Sequence, residues 1–307
     1  MQDHDAVLTA YAGWRGAPMA LATVISTWGS APRPRGSHLL VHQDGRFAGS
    51  VSGGCVETDV LTLAAEVIAR GTSERRSYGV SDEAAWEVGL PCGGTIEVIV
   101  QPVAEGGFAP VLFDAILEAR AEGRSVRVAT DLDSGVSALA SHDEAGFVNA
   151  YAPPRRLFIV GAVQIAQSLA GIARTLGITP IIIDPRGRYL TSERFPDMEL
   201  DDRWPDEAIA ARRPDMASAV VTLSHDPKID DPALIAALAA PTGYVAALGS
   251  RRSHAARRER LAAVGVAEAD LDRIDGPAGI DIGAVGAAEI ALSVAAGMVA
   301  ALSGKRG

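Results

Sequence analysis

At 307 residues the chain exceeds the roughly 100–200 residues of a usual single domain, so two domains are expected and a small disulfide-stapled scaffold is excluded. With 48% hydrophobic and 21% charged residues it can bury a sizeable core, and 5% aromatics with 32 glycines favour an α/β fold over a β-sandwich. A formal charge of −10 argues against non-specific binding to nucleic acid or to an anionic membrane, and leaves any anionic ligand to local patches.

In chain order, the first third alternates short β-branched runs with glycine turns. Residues 21–27, 39–42, 47–51 and 96–100 read as strands, with Asp44-Gly45 as a hairpin turn. From Cys55 to Arg70 the apolar residues Val56, Val60, Leu63, Ala64 and Val67 fall at helical spacing, which predicts a helix opening directly after Ser52-Gly53-Gly54. A second helical pattern covers 110–123, followed by a strand over 126–130 and a polar, glycine-containing segment over 131–152. Pro153-Pro154-Arg155-Arg156 reads as a linker, which sets the expected domains at 1–152 and 153–307.

From Leu157 strand, turn and helix repeat, with strands over 157–160, 180–183, 219–223 and 244–248 and helices ending near Leu176, Arg212 and Leu238. That alternation forces parallel strands with crossover helices, a doubly wound Rossmann-like sheet. The most apolar stretch, 290–302, is shorter than the ~18 residues needed to cross a bilayer and is bordered by Glu289, so a buried helix is expected. Residues 1–5 lack the basic-then-apolar layout of a signal peptide, and Cys55 and Cys92 cannot form a disulfide framework. A reduced, cytoplasmic protein is the expectation.

Four places could carry chemistry. Ser52-Gly53-Gly54-Cys55 puts backbone N–H groups and a thiol at an expected helix start, where the dipole favours an anion; it reads as a phosphate or thiolate site, or as a tight turn with a packed thiol. Arg33 and Arg35, held extended by Pro34, could clamp an oxyanion or lie on the surface. Cys92-Gly93-Gly94 mirrors this arrangement before a strand, as half of a sulfur-rich pocket or as a bulge with a buried thiol. Two cysteines are too few for a closed structural zinc site.

In the second half, Gly161 opens a Rossmann-like turn and Asp184 follows about twenty positions on, an acid that could hold a ribose hydroxyl; Val163 stands where a second glycine would approach a pyrophosphate. His225 and the pair Ser250-Arg251 lie at the carboxyl ends of neighbouring strands, where open α/β sheets bind ligands, and Ser250-Arg251 suits a phosphate. His225 reads equally as a structural histidine, and Arg257-Arg258-Glu259-Arg260 as a solvated helix face. A nucleophile elbow and a Walker loop are both missing.

Together these blocks resemble the XdhC/CoxI family, accessory proteins that mature molybdenum hydroxylases such as xanthine dehydrogenase. The resemblance runs through Gly29 to Gly36, Gly49 to Glu57, Pro91 to Gly94, Asp184-Pro185-Arg186, Arg194-Phe195-Pro196, Ser224-His225-Asp226 with Asp231-Pro232, Gly249 to Arg252 and Ile280 to Gly283. It implies an N-terminal α/β XdhC-type domain followed by a C-terminal Rossmann-like doubly wound domain. It further implies a protein that binds the molybdenum cofactor (molybdopterin), protects it while a cysteine desulfurase supplies the sulfur that replaces an oxo ligand, and delivers it to the apoenzyme. That is chaperoning more than turnover, without catalytic residues, and in a homodimer. The implied cofactor contacts are Arg33, Arg35, Ser52, Gly53, Gly54, Cys55, Cys92 and Gly93 in the first domain and Gly161, Asp184, His225, Ser250 and Arg251 in the second, with Cys55 facing the metal. Two other readings stay open: an NAD(P)-dependent oxidoreductase built on Gly161 and Asp184, and a non-catalytic interaction protein with vestigial pockets, suggested by Val163.

Overall fold

The computed structural model describes residues 4–29, 31, 33–79, 94–140 and 146–303. The chain divides into two compact units, Met1–Pro153 and Pro154–Gly307.

The first unit contains α1 (His4–Trp14), β1 (Met19–Trp28), β2 (His38–His42), β3 (Phe47–Gly49), α2 (Glu57–Arg70), β4 (Glu74–Tyr78), β5 (Thr95–Pro102), α3 (Pro110–Ala121), β6 (Val126–Thr130), β7 (Ser137–Leu139) and β8 (Phe147–Tyr151). Five strands form an antiparallel sheet in the order β3-β2-β1-β5-β4, and β7-β6-β8 form a second, three-stranded sheet. The central strand β1 explains the layering. Its two-residue period sends Ala20, Ala22 and Val24 against Val60, Leu63 and Val67 of α2, while Met19 and Leu21 pack against Leu8 of α1 and Phe113 and Ile116 of α3. A strand covered on both faces is a continuous apolar run, which is how this one reads.

The second unit contains β9 (Arg156–Val160), α4 (Gln164–Thr175), β10 (Thr179–Ile183), β11 (Glu199–Asp201), α5 (Pro205–Arg212), β12 (Ser218–Thr222), α6 (Pro227–Ala239), β13 (Tyr244–Ala247), α7 (Arg251–Ala263), α8 (Glu268–Leu271), β14 (Ile274–Asp275) and α9 (Ala287–Leu302). Its six strands are all parallel, in the order β11-β10-β9-β12-β13-β14. This is the Rossmann-like sheet expected from the alternation. Leu157 and Ile159 of β9 face α4 and α9 through Leu169, Val294 and Met298, whereas Phe158 and Val160 face α5 and α6 through Ile209 and Leu234. The apolar segment near the C-terminus is the helix α9, seated in that core; among the described residues no helix is long and apolar enough to cross a membrane.

Some elements escaped the pattern reading. The strand β4 is Glu-Arg-Arg-Ser-Tyr, an edge strand paired on one side only, so its composition is that of a solvated surface. The strand β8 lies inside the segment expected to be polar, and β11 and β14 are three and two residues long. Strands this short carry no measurable period.

The packing around β1 makes a direct prediction. Leu21→Ala, which empties a fully buried site between the sheet and α3, should cost about 2–5 kcal/mol in urea unfolding of the whole chain. Val111→Ala, at an exposed position on α3 itself, should stay within about 0.5 kcal/mol of the parent.

Candidate functional site

In the first unit two loops leave the same end of the five-stranded sheet, because β2 runs antiparallel to both β1 and β3. One is the β1–β2 connection carrying Arg33 and Arg35; the other follows β3 and carries Cys55. Thr95, the first residue of β5, pairs with Trp28 at that same end. Cys92 and Gly93 lie outside the described residues.

The Cys55 loop begins at Gly49, where φ is +89° and a Cβ would fall 2.2 Å from the His38 carbonyl oxygen, so only glycine fits the crossing. Beyond it the backbone N–H groups of Val51, Ser52 and Gly53 turn inward to Oε1 of Glu57 at 3.3, 2.9 and 3.1 Å, and that of Gly54 donates to Oε2 at 2.8 Å. The Ser50 hydroxyl donates to Oε1 at 2.7 Å and the Ser52 hydroxyl to Oε2. The anion cradle expected at Ser52-Gly53-Gly54 therefore exists, and the protein's own carboxylate fills it. Burial alone would raise the Glu57 pKa, but the hydroxyls of Ser52 and Ser50 and the backbone donors outweigh it and hold the carboxyl down at about 2.

The same geometry moves the helix start. The expected opening at Cys55 is corrected to Glu57, because the carboxylate that collects these donors occupies the first helical position and Val56 is the N-cap. Cys55 thus stands in the loop ahead of the helix, exposed. Among the described residues no group of three or more His, Cys, Asp or Glu side chains could hold a metal ion.

Arg35 is held by a different device. The β1–β5 ladder slips between Val24 and Ser26, and the Ile25 carbonyl at this bulge accepts the Arg35 Nε–H at 3.0 Å, while the guanidinium sits 4.6 Å from the Phe147 ring centroid. Beneath the loop, the Gly36 carbonyl is gripped by His4 Nε2 at 3.1 Å and by the Asn149 amide at 3.2 Å. His38 bridges Thr23 Oγ1 and the Tyr151 hydroxyl at 2.9 and 2.8 Å; its burial and the neighbouring His4 push its pKa well below the usual imidazole range. Asn149 and Tyr151 reach Gly36 and His38 from 113 positions away, and nothing local announces them. Glu57 did have a local signature: an acid three residues after Gly54, at the head of an apolar-periodic helix.

In the second unit the turn after β9 is spent on structure. Gly161, at φ +103°, donates to the Ile183 carbonyl at 2.9 Å, and a Cβ on it would meet Ser224 N and Cα at 2.8 and 2.9 Å. The glycine serves the close approach of two strand ends. Asp184 is fully buried: Oδ2 accepts the Ala162 N–H at 2.8 Å, and Arg186 donates from N and Nε to Oδ1 and from Nη2 to Oδ2. Burial raises its pKa, yet the Arg186 and Ala162 donors bring it below the usual carboxylate range. The acid expected to face a ribose thus has both oxygens accepting from the protein's own donors.

His225 and Ser250-Arg251 follow the carboxyl ends of the paired strands β12 and β13. His225 is exposed at φ +61°, between Ser224 and the α6 cap Asp226. Ser250 caps α7, its hydroxyl oxygen accepting the Ser253 N–H at 3.1 Å, and Arg251 is exposed. The expected solvated face of α7 needs one correction: Arg257 is buried, with 4% exposure, and donates through Nη2 to the Leu248 carbonyl at 2.9 Å.

Comparison with known proteins accords with this architecture. A model of the XdhC Rossmann domain matches residues 157–298, and one of the XdhC and CoxI family matches residues 14–79. The molybdenum cofactor insertion chaperone PaoD of Escherichia coli (strain K12) is 31% identical over 288 residues, covering 92% of this chain and 82% of that protein. The chain belongs to the XdhC/CoxI family. A probable xanthine dehydrogenase subunit from Bacillus subtilis (strain 168) is 26% identical over 311 residues, covering 91% of this chain and 92% of that protein. A crystal structure of a xanthine dehydrogenase from Bacillus halodurans, 26% identical, superposes with a TM-score of 0.75 over 100% of this chain and 97% of that one.

The Glu57 cradle makes its own prediction. Glu57→Ala should destabilise the protein by about 2–3 kcal/mol, because several donors lose a charged acceptor at once, and Glu57→Gln should cost less. The native carboxyl has its pKa depressed to about 2, so its contribution is complete above the ordinary value of 4.5 and is lost as pH falls from there towards 2. Urea titrations across that range should show a shallower acid-side loss in Glu57→Gln than in the parent.

Proposed function

We propose that this XdhC/CoxI protein carries the molybdenum cofactor as cargo and hands it to a molybdenum enzyme of the xanthine dehydrogenase type. The observation that carries the reading is the exposed Cys55 thiol on a loop locked by Glu57, leaving the sheet at the same end as the Arg33–Arg35 connection. The donor types suit the cargo. A soft thiolate matches molybdenum, and guanidinium groups match the phosphate of an anionic pterin. The curated chaperone at 31% identity, named for molybdenum cofactor insertion, supports the same class of role.

In this reading Cys55, with Arg33 and Arg35, holds the cargo in the first unit, and Ser52, Gly53 and Gly54 act through the cradle that presents the thiol. Cys92-Gly93 adds a second thiol loop. The protein shields the cofactor while a cysteine desulfurase provides sulfur, and it works as a homodimer in the cytoplasm. The oxidoreductase alternative loses its central group, since the Asp184 oxygens already accept the Ala162 and Arg186 donors.

The test is molybdenum by mass spectrometry with oxidised-pterin fluorescence, on protein purified anaerobically from a cofactor-producing host. The parent should carry both in near-stoichiometric amounts, Cys55→Ala should fall to background, and Cys92→Ala should lose less. Parent protein free of molybdenum and pterin, or equal retention in the two variants, would sink the reading.

A further inference from the structure

We infer that His38 is an acid-sensitive catch on the β1–β2 connection: the neutral ring fastens the Gly36 carbonyl through Asn149, and the protonated ring lets it go. The ring is buried among Thr23 of β1, His4 of α1, and Asn149 and Tyr151 of β8.

These partners fix which ring nitrogens carry hydrogen. The Gly36 carbonyl can only accept, so it orients the Asn149 amide with Nδ2 towards it at 3.2 Å. That same Nδ2 can only donate, which makes His38 Nε2 an acceptor at 3.1 Å, and the Tyr151 hydroxyl donates to it as well at 2.8 Å. The hydrogen of the neutral ring is then on Nδ1, facing Thr23 Oγ1 at 2.9 Å. His4 meets the Gly36 carbonyl through Nε2–H at 3.1 Å, a hydrogen that both its neutral and its charged form carry. The grip of His4 therefore survives protonation of its own ring, and the arrangement at His38 does not.

Asn149 couples the ring to the connection. Its amide gives one hydrogen to the Gly36 carbonyl and the other to His38 Nε2. A proton on Nε2 sets donor against donor at that contact. Turning the amide over satisfies the new N–H but places Oδ1 against the Gly36 carbonyl, so neither orientation serves both partners. The charged ring would also lie 5.0 Å, centroid to centroid, from His4 at the start of α1. Among the described residues no carboxylate pairs with it: Asp5 turns to Arg120, and Asp44 pairs with His42 farther along β2. Tyr151 is held uncharged by its burial. Burial first, and His4 second, keep the His38 pKa well below the usual imidazole range, against a backbone hydrogen bond at Ala22. Gly36 directly follows Arg35, so freeing its carbonyl loosens the backbone that sets the guanidinium on Phe147. The inference rests on this buried network and not on the cargo reading, so either can fail alone.

The experiment is hydrogen exchange of the full chain, read by mass spectrometry as the protection of residues 35–37 against pH and corrected for the intrinsic pH dependence of amide exchange. The open form restores His38 to its ordinary value of 6.5 and so binds more protons than the closed form, which makes opening easier as pH falls. Protection should drop about tenfold for each unit of pH from roughly 6 down to 4.5, the ordinary value of Glu57, below which a second group titrates. His38→Gln, whose amide oxygen can accept from Asn149 and Tyr151 but takes up no proton, should give a flat profile over that range. In the parent, nitrogen-resolved NMR of the imidazoles at about pH 6 should show His38 as the neutral Nδ1–H tautomer, a reading that needs no variant. A flat profile in the parent, a slope that persists in His38→Gln, or a His38 ring charged or carrying its hydrogen on Nε2 at that pH would each overturn the inference.

Discussion

The Glu57 carboxylate is the contact that orders the loop between β3 and α2 in the first unit. Taking a carboxylate out of water is unfavourable, and here four backbone N–H groups and two hydroxyls more than compensate. The geometry also explains the local sequence. Gly53 and Gly54 adopt φ of +78° and +120°, which turns successive N–H groups towards one point, and the two serines add hydroxyl donors on either side. Glu57 opens α2, where the helix dipole favours an acid. The outcome is a rigid loop with an exposed cysteine beside it, built at the expense of the anion site that the same glycines would otherwise have offered.

The second unit repeats this logic with different residues. Its glycine turn also has an N–H group captured by an internal carboxylate, that of Asp184, which Arg186 then neutralises. In both units a motif that reads as a phosphate cradle is satisfied from within. The donors that such a motif would offer a phosphate are thus already used by the protein itself.

How much of this was legible follows from the range of each interaction. The two-residue period of β1 and β9 and the strand–helix alternation after Leu157 express burial along the chain, so the sheets and their order of elements were readable. The edge strand β4 was not, because one of its sides faces solvent and its residues are charged. The Gly161 motif was visible, but its purpose depends on Ser224, which lies sixty-three positions away and approaches only once β12 pairs with β9. Arg257 illustrates the limit from the other side. Its neighbours Arg258 and Arg260 do form the solvated, ion-paired face that the charge run suggests, while one residue in that run turns inward beneath Gly249.

Net charge adds a constraint on how such a protein can hold an anion at all. With a formal charge of −10, the long-range field repels anionic ligands, although salt at physiological strength confines that repulsion to about 8 Å. Attraction must then come from short contacts whose geometry is fixed in advance. Arg35 is fixed in this way, tied to the Ile25 carbonyl at a β-bulge and set against the Phe147 ring, so it keeps little side-chain freedom. The histidine, asparagine and tyrosine network under Gly36 serves the same end, since it anchors the backbone from which Arg35 projects. The polar core beneath the β1–β2 connection thus sets the position of Arg35 as much as the connection's own sequence does.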